Sequence, residues 1–148
     1  MKRVGGLYIS LAIVMFFTNS FLYPHETGTI KVKITGLRSN KGEVAIALYS
    51  NEAGFPKDIS KSVSRLRVKI TNNTCTASFA GMPYGNYAVC AFHDENNDGK
   101  LNFNFLGIPK EGTCASNNAK GHFGPPSFDD AKFLLNAVSI TINIKMNY

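Results

Sequence analysis

The chain has 148 residues, of which 44% are hydrophobic and 18% are charged, with 13 glycines, 6 prolines and no tryptophan. This composition excludes a largely disordered chain, a collagen-like repeat and a polytopic membrane protein, and the length allows one small domain. The formal net charge is +6. The cations are spread along predicted strands rather than clustered on one face, which argues against a nucleic-acid-binding protein.

The amino-terminal segment has the layout of a secretory signal peptide. Lys2 and Arg3 precede an apolar run at residues 7–17 that ends in small polar residues and is shorter than the roughly 20 residues of a spanning helix. We predict a signal peptide over residues 1–20, cleaved after Ser20, which lowers the net charge to +4. The mature protein is then periplasmic or secreted, without stable membrane insertion. An uncleaved amino-terminal anchor is the alternative.

Alternation of apolar and polar side chains predicts half-buried strands at residues 29–35, 65–70 and 138–146. Residues 42–50 are apolar on both faces, which is typical of a central strand covered on both sides. The turn residues 40–42 predict a hairpin between the first two strands.

A second hairpin is predicted between residues 74–80 and 85–92. In this pairing Cys75 lies opposite Cys90, and the two thiols either form a disulfide or are small core side chains. Cys114 is the unpaired cysteine, in a polar loop.

Periodicity is lost over residues 93–130, and a segment of this length without regular structure needs something to order it. Residues 132–136 then predict a short strand. We expect an all-β fold, an antiparallel sandwich of seven to eight strands of immunoglobulin or prealbumin type. It forms a single domain over residues 28–148, with a long ordered loop at one end.

The start of this loop resembles the first half of an EF-hand calcium loop. Side-chain oxygens recur at every second position, and Gly99 permits the sharp turn. Position 12 is Phe105 instead of glutamate, so a further carboxylate is needed from Glu111, Asp129 or Asp130. The predicted metal ligands are Asp94, Asn96, Asp98, the Lys100 carbonyl, Asn102 and Glu111. With so few charges we expect weak calcium binding, with a Kd on the order of 10⁻⁴ to 10⁻³ M.

Two other interpretations of these residues stay open. In the first, the loop is an Asx-rich turn whose side chains accept hydrogen bonds from backbone amides. In the second, His93 and His122 form a zinc or transition-metal site with Cys114 or a carboxylate, or Cys114 is a nucleophile with His122 as its base.

Five cations are predicted on outward strand faces: Lys31, Lys33, Arg65, Arg67 and Lys69. If their strands are neighbours, they form a basic stripe able to meet phosphate-rich lipid or an acidic partner. The alternative is ordinary solvated surface.

The motifs HDENNDGKLNFNFLGIPKEG, SNNAKG, FGPPSF and DDAKF occur in this order and resemble the exported bacterial family called domain of unknown function 2141. The resemblance extends over Gly28 to Tyr148 and implies a small β-sandwich of the prealbumin or carboxypeptidase-regulatory kind, with no established activity. Asn102 stands where relatives commonly have aspartate, and Thr113-Cys114 replaces a Tyr-Gly pair. The first difference weakens a metal site, and the second weakens a family-wide catalytic role for Cys114.

The sequence therefore predicts an exported, non-catalytic binding or structural module with a calcium-stabilised loop at residues 94–102 and a partner in the envelope or outside the cell. The rival hypothesis is a periplasmic hydrolase or transition-metal-binding protein that uses His93, His122 and nearby carboxylates.

Overall fold

The computed structural model describes residues 26–148, so the predicted signal peptide and its cleavage point lie outside the described residues. Within these residues the chain forms eight strands and three short helical turns. The strands are β1 (Thr27–Thr35), β2 (Glu43–Tyr49), β3 (Ser64–Lys69), β4 (Cys75–Pro83), β5 (Gly85–Asp94), β6 (Thr113–Ala115), β7 (Phe133–Leu135) and β8 (Ser139–Lys145). The helical turns are two 3-10 turns, Ile59–Lys61 and Ser116–Asn118, and α1 (Phe128–Ala131).

The strands form two sheets. The smaller sheet has the order β4-β1-β8, and the larger has β3-β2-β5-β6, with β7 paired to the start of β5. The predicted all-β sandwich of seven to eight strands is confirmed. One pairing departs from the antiparallel prediction, because β1 and β8 run parallel. Alternation places Ile30 and Ile140 on the same face of the sheet, but it does not determine the direction in which the two strands run.

The core lies between the two sheets and consists of the alternating apolar side chains. Ile30, Val32 and Ile34 of β1 are fully buried, and they face the apolar side chains of the larger sheet. Burial of one such side chain stabilises the fold by about 1.5–3 kcal/mol. From β2, Val44, Ile46 and Leu48 contribute to this core.

Both predicted hairpins are wrong. β1 pairs with β4 and β8, whereas β2 pairs with β3 and β5, so the links from β1 to β2 and from β4 to β5 cross between sheets. An alternating pattern specifies which side of a strand is apolar. Two strands can bury those sides by facing each other across a core as well as by lying side by side, and here the first arrangement is adopted.

The positions of the three cysteines follow from this topology. Cys75 and Cys90 lie in different sheets, so the register that would place them opposite each other does not occur, and both thiols are free. Cys75 is buried in the core between the sheets, whereas Cys90 lies on the outer face of the larger sheet. Cys114 is also free, and it lies buried in β6 rather than in a polar loop as predicted.

The condition for a basic stripe, that the strands carrying the five cations are neighbours, is not met. Lys31 and Lys33 belong to β1 in the smaller sheet, whereas Arg65, Arg67 and Lys69 belong to β3 in the larger sheet. Because the outward faces of the two sheets point in opposite directions, these cations lie on opposite sides of the sandwich.

The segment between β5 and β7 is long, as predicted, but it contains β6 and α1 and is irregular elsewhere. It begins where β5 ends and extends over the outer face of the larger sheet, rather than over one end alone. Ala45, Ala47 and Tyr49 lie on this outer face and are nevertheless buried, which confirms that β2 is covered on both sides.

Among residues 26–148, no helix combines the length and the apolar character that crossing a membrane requires.

Candidate functional site

The acidic loop, residues 94–102, is built around the Asp94 carboxylate at the end of β5. Asp94 is fully buried. Its Oδ1 accepts a hydrogen bond from the Asp98 amide at 3.2 Å, and its Oδ2 accepts one from the Gly99 amide at 2.9 Å. Gly99 adopts a φ of +80°, a conformation that glycine reaches without a steric penalty. The carboxylate thus folds the loop back onto the end of the strand.

A cation completes the surroundings of Asp94. The guanidinium of Arg67 on β3 pairs with Asp94 Oδ2 and, through Nε, with Glu43 Oε2 at 3.1 Å. Hydrogen bonds to Asp94 and Glu43 raise the pKa of Arg67 above its ordinary value. The sequence analysis placed Arg67 on a solvated face and missed this role. The only indication would have been the strand order and register, which set Glu43 opposite Asp94 and Arg67 opposite Ala45, two residues along β2 from Glu43.

The exposed side of the acidic loop is a network of short polar side chains. Asp98 Oδ1 accepts the Lys100 amide at 2.8 Å, and Asp98 Oδ2 accepts the Asn102 side-chain amide at 2.9 Å and that of Asn96 at 3.1 Å. The hydrogen bond from Asn102 is the main reason that the pKa of Asp98 lies below its usual range. Asn96 Oδ1 in turn accepts the Asp98 amide at 3.1 Å.

Glu111 is the carboxylate that the rest of the chain brings to this loop. It is buried, and its two oxygens accept the backbone amides of Glu95 at 3.1 Å and Asn102 at 3.0 Å. The other two candidates lie elsewhere. Asp130 accepts from the Ser127 hydroxyl at the start of α1, and Asp129 pairs with Lys132.

The predicted calcium ligands therefore converge, but their carboxylates are already engaged. Each oxygen of Asp94, Asp98 and Glu111 accepts at least one N–H group, and Arg67 supplies a positive charge against Asp94. Within residues 26–148, no three His, Cys, Asp or Glu side chains are arranged to hold a metal ion. This geometry matches the Asx-rich turn, and it accounts for the order of the loop by hydrogen bonds alone. Calcium binding stays a prediction.

His93 is fully buried and fully hydrogen-bonded. Its Nε2 lies 2.7 Å from the Lys41 carbonyl, and its Nδ1 lies 2.7 Å from the Tyr148 hydroxyl. Because a carbonyl only accepts, Nε2 carries a proton and donates to Lys41, and Nδ1 shares a hydrogen bond with the Tyr148 hydroxyl. The Tyr148 hydroxyl also accepts the Arg38 amide at 3.0 Å. His93 thus ties the last residue of the chain to the link between β1 and β2.

The residues of the hydrolase hypothesis are not assembled in the described part of the chain. His122 is exposed in the long loop, and no hydrogen bond joins it to His93 or Cys114 there. Burial raises the pKa of the Cys114 thiol, which disfavours the nucleophilic thiolate. The structure therefore gives His93 and Cys114 roles in packing and hydrogen bonding.

An apolar cleft of about 1150 Å³ lies between the outer face of the larger sheet and the long loop. Its floor includes Ala45, Ala47 and Cys90, and its walls include Phe103 and Phe123. The volume lies slightly above the usual range for small-molecule sites, which is about 300–1,000 Å³. The sequence analysis missed the cleft. In the sequence, only the small residues on the outward face of β2 indicate that a cleft lies there.

Among residues 26–148, two lysines are the only charged residues that line the apolar cleft. Lys57 precedes the first 3-10 turn, and Lys120 follows the second. Both are exposed, and neither takes part in an ion pair within residues 26–148. A ligand with an acidic group and an apolar body is complementary to this combination.

The fold and the site together define an all-β sandwich whose long loop closes an apolar cleft over one sheet. The chain belongs to the bacterial family of uncharacterised proteins designated DUF2141, whose family model matches residues 32–143. The resemblance inferred from the sequence motifs is thereby confirmed. No curated protein gives a significant match, and no solved structure does either.

Proposed function

We propose that this protein is an exported, non-catalytic binding module, and that its apolar cleft holds a ligand with an apolar body and an acidic group. The observation that carries the proposal is the cleft itself, whose lining is mostly apolar. Within the part of the chain that the structure describes, Lys57 and Lys120 are its only charged residues. Residues 1–20 are predicted to be a signal peptide, and the chain that remains after its removal would act in the periplasm or outside the cell.

The energetics favour a ligand of this class. Apolar surface removed from water stabilises a complex by about 25 cal/mol per Å², so an alkyl or ring system buried against Ala47, Phe103 and Phe123 supplies most of the affinity. Each exposed lysine adds only about 0.2–1 kcal/mol toward an acidic group. The lysines therefore contribute more to the preference for acidic over neutral ligands than to the overall binding affinity.

The role of the acidic loop in this proposal is to hold one wall of the cleft. Leu101 and Phe103 line the cleft and follow directly on the residues bonded to Asp98 and Glu111. A wall fixed by hydrogen bonds is already formed before the ligand enters, which reduces the entropy lost on binding. The non-catalytic assignment is supported by His93, whose two ring nitrogens are both occupied.

The test uses a matched pair of ligands, dodecanoate and dodecanol, which share an alkyl chain and differ in charge. Binding to the chain Phe21–Tyr148 is measured by displacement of a fluorescent apolar anion and by calorimetry. We expect saturable binding of both ligands, tighter for the acid. Replacement of Lys57 and Lys120 by alanine should weaken dodecanoate by about three- to tenfold and leave dodecanol unchanged.

The control for charge is Lys31→Ala, because Lys31 is exposed on the smaller sheet, on the opposite side of the sandwich. It should bind both ligands as the parent does. The control for the cleft is Ala119→Phe, which adds a ring to a residue that lines the cleft and should weaken both ligands. The proposal fails if neither ligand binds saturably, or if Ala119→Phe folds and binds both as the parent does.

A further inference from the structure

A second feature adjoins the cleft and shares Phe103 and Ile108 with its wall, but its tip, Phe105 and Leu106, lies outside the cleft. Residues 102–110 form a tight hairpin, which we call the apolar hairpin. The Lys110 amide donates to the Asn102 carbonyl at 2.8 Å, the Asn104 amide donates to the Ile108 carbonyl at 2.9 Å, and Phe103 pairs with Pro109. The tip at Phe105 and Leu106 is thus held away from the loop that carries it.

The tip of the apolar hairpin is exposed to an unusual degree. Phe105 is 95% exposed and Leu106 is 68% exposed, and Phe103 and Ile108 on the two arms are each more than half exposed. Four large apolar side chains within six residues form a contiguous patch, and such patches mark interaction sites. Isolated exposed apolar residues are normal, but this arrangement concentrates them at a projecting point.

The hairpin is also preformed and internally hydrogen-bonded. The Asn104 side-chain oxygen accepts the amides of Leu106 at 2.9 Å and Ile108 at 3.0 Å, and the Gly107 amide donates to the Asn104 carbonyl at 3.0 Å. These bonds satisfy the backbone donors of Leu106, Gly107 and Ile108. An apolar medium penalises each unsatisfied donor by several kcal/mol in general, so these bonds lower the cost of moving the tip out of water.

Cations flank the hairpin on both sides. Lys100 precedes it and Lys110 ends it, and both are exposed. The carboxylates that flank this segment, Asp98 and the buried Glu111, accept hydrogen bonds from N–H groups of the acidic loop. Neither lysine forms an ion pair within the described residues. Lys110 is about four residues from the tip, which corresponds to about 13 Å at 3.3 Å per residue of extended chain. Apolar groups can therefore lie among acyl chains while the ammonium groups stay near phosphates.

We propose that the apolar hairpin docks on an anionic lipid bilayer, with Phe105 and Leu106 inserted below the headgroups and Lys100 and Lys110 against the phosphates. Charge complementarity selects the bilayer as the occupant. A protein surface would need its own apolar pocket and acidic rim, whereas an anionic bilayer presents both an apolar interior and a negative surface. Docking at this point does not depend on the apolar cleft being occupied.

The absence of tryptophan from the sequence makes the test direct. Phe105→Trp places a single tryptophan at the tip. The variant is made in the chain Phe21–Tyr148, which contains every described strand. With vesicles of phosphatidylglycerol we expect a blue shift and increased emission, weakened by high salt, and little change with phosphatidylcholine. The matched control is Val138→Trp, since Val138 is 79% exposed and lies outside the hairpin. Its spectrum should not shift.

A second measurement uses cosedimentation with the same anionic vesicles. The double variant Phe105→Ser, Leu106→Ser should lower vesicle binding at least tenfold, keep the parent melting temperature because both side chains are exposed, and bind dodecanoate as the parent does. An unshifted Phe105→Trp spectrum, an equal shift of Val138→Trp, or unchanged cosedimentation of the serine variant would overturn the proposal. Loss of dodecanoate binding alone would count against the cleft and not against docking.

Discussion

Arg67 on β3 reaches across β2 and pairs with Asp94, the fully buried last residue of β5. Glu43 lies between them on β2 and also accepts from Arg67. The pair thus joins three neighbouring strands to the first residue of the acidic loop. Leu101 and Phe103 of the cleft wall lie at the end of this loop. We therefore expect the wall of the cleft to depend on an ion pair that lies outside the cleft.

Replacement of Arg67 tests how much the ion pair contributes to the stability of the fold. Arg67→Ala leaves the Asp94 carboxylate buried with only the amides of Asp98 and Gly99 as partners, so we expect a loss of about 2–4 kcal/mol in the free energy of unfolding. Urea unfolding followed by circular dichroism measures it.

The matched control is Arg65→Ala, because Arg65 is exposed on the same face of β3 and forms no ion pair among the described residues. It should cost less than about 0.5 kcal/mol. Asp94→Asn combined with Arg67→Ala removes the orphaned charge and should recover part of the loss. Equal effects of the two arginine variants would contradict the role of the pair.

Glu111 provides a local test of the hydrogen-bond network. Glu111→Gln replaces one accepting oxygen by an NH₂ group, which then faces the amide of either Glu95 or Asn102. We expect a loss of about 1–3 kcal/mol. Hydrogen exchange should show faster exchange of one or both amides, whereas Glu52→Gln at an exposed position should leave them protected. Unchanged protection in the Glu111 variant would mean that these amides are held by other groups.

Calcium binding is tested by the melting temperature in calcium and in chelator. Binding only to the native state stabilises it by RT ln(1+[L]/Kd), so millimolar calcium should raise the melting temperature and Asp98→Ala should abolish the rise. Because Arg67 competes for Asp94, Arg67→Gln should increase the calcium effect. Identical melting in calcium and chelator, for the parent and for Arg67→Gln, would remove calcium from the account.

The pair of Arg38 and Glu95 predicts a pH dependence. The hydrogen bond from Arg38 at 2.9 Å holds the pKa of Glu95 below its ordinary value of 4.5. A carboxyl whose pKa is lower in the folded state stabilises the fold above its unfolded pKa, and the contribution is lost as the pH falls through the folded pKa. Glu95→Gln should therefore be less stable than the parent at pH 6, with the difference closing as the pH falls below about 4.5. A difference that is constant with pH would contradict this pair.

The burial of the three cysteines predicts that their thiols react slowly with thiol reagents, and at different rates. Burial raises the pKa of Cys75 to about 11 and that of Cys90 to about 12, so both are protonated near neutrality. Unfolded protein prepared without reductant should titrate three thiols. Cys90 and Cys114 both line the apolar cleft, but Cys90 is half-buried whereas Cys114 and Cys75 are buried. In the native state Cys90 should therefore react first, and bound dodecanoate should slow its reaction. A count of one thiol would indicate that a disulfide forms after all.

The strands and their buried faces could be predicted because alternation along one strand is a local property. Seven of the eight strands were predicted in this way, whereas β6 lies in the segment without periodicity. Strand partners could not be predicted from alternation, since Val32 satisfies the same pattern beside Ala77 in the smaller sheet as it would beside a residue of β2. Both wrong hairpins come from that ambiguity, and so does the pairing that would have set Cys75 opposite Cys90.

The candidate site was predicted in part for the same reason. The spacing of Asp94, Asn96 and Asp98 correctly indicated a sharp polar loop, because such side chains act on amides only a few residues away. The partner Arg67 lies 27 residues from Asp94 and depends on strand order. The apolar cleft requires the long loop to be placed against the sheet, which no local pattern specifies.

The most direct test of the proposed function is to map dodecanoate on the protein by amide chemical shifts. In a titration of ¹⁵N-labelled chain, we expect saturable shifts at cleft residues such as Ala47, Cys90 and Lys120, with Lys31 and Thr141 of the smaller sheet unaffected. Shifts that do not saturate, or that are centred on the smaller sheet, would contradict a ligand site in the apolar cleft.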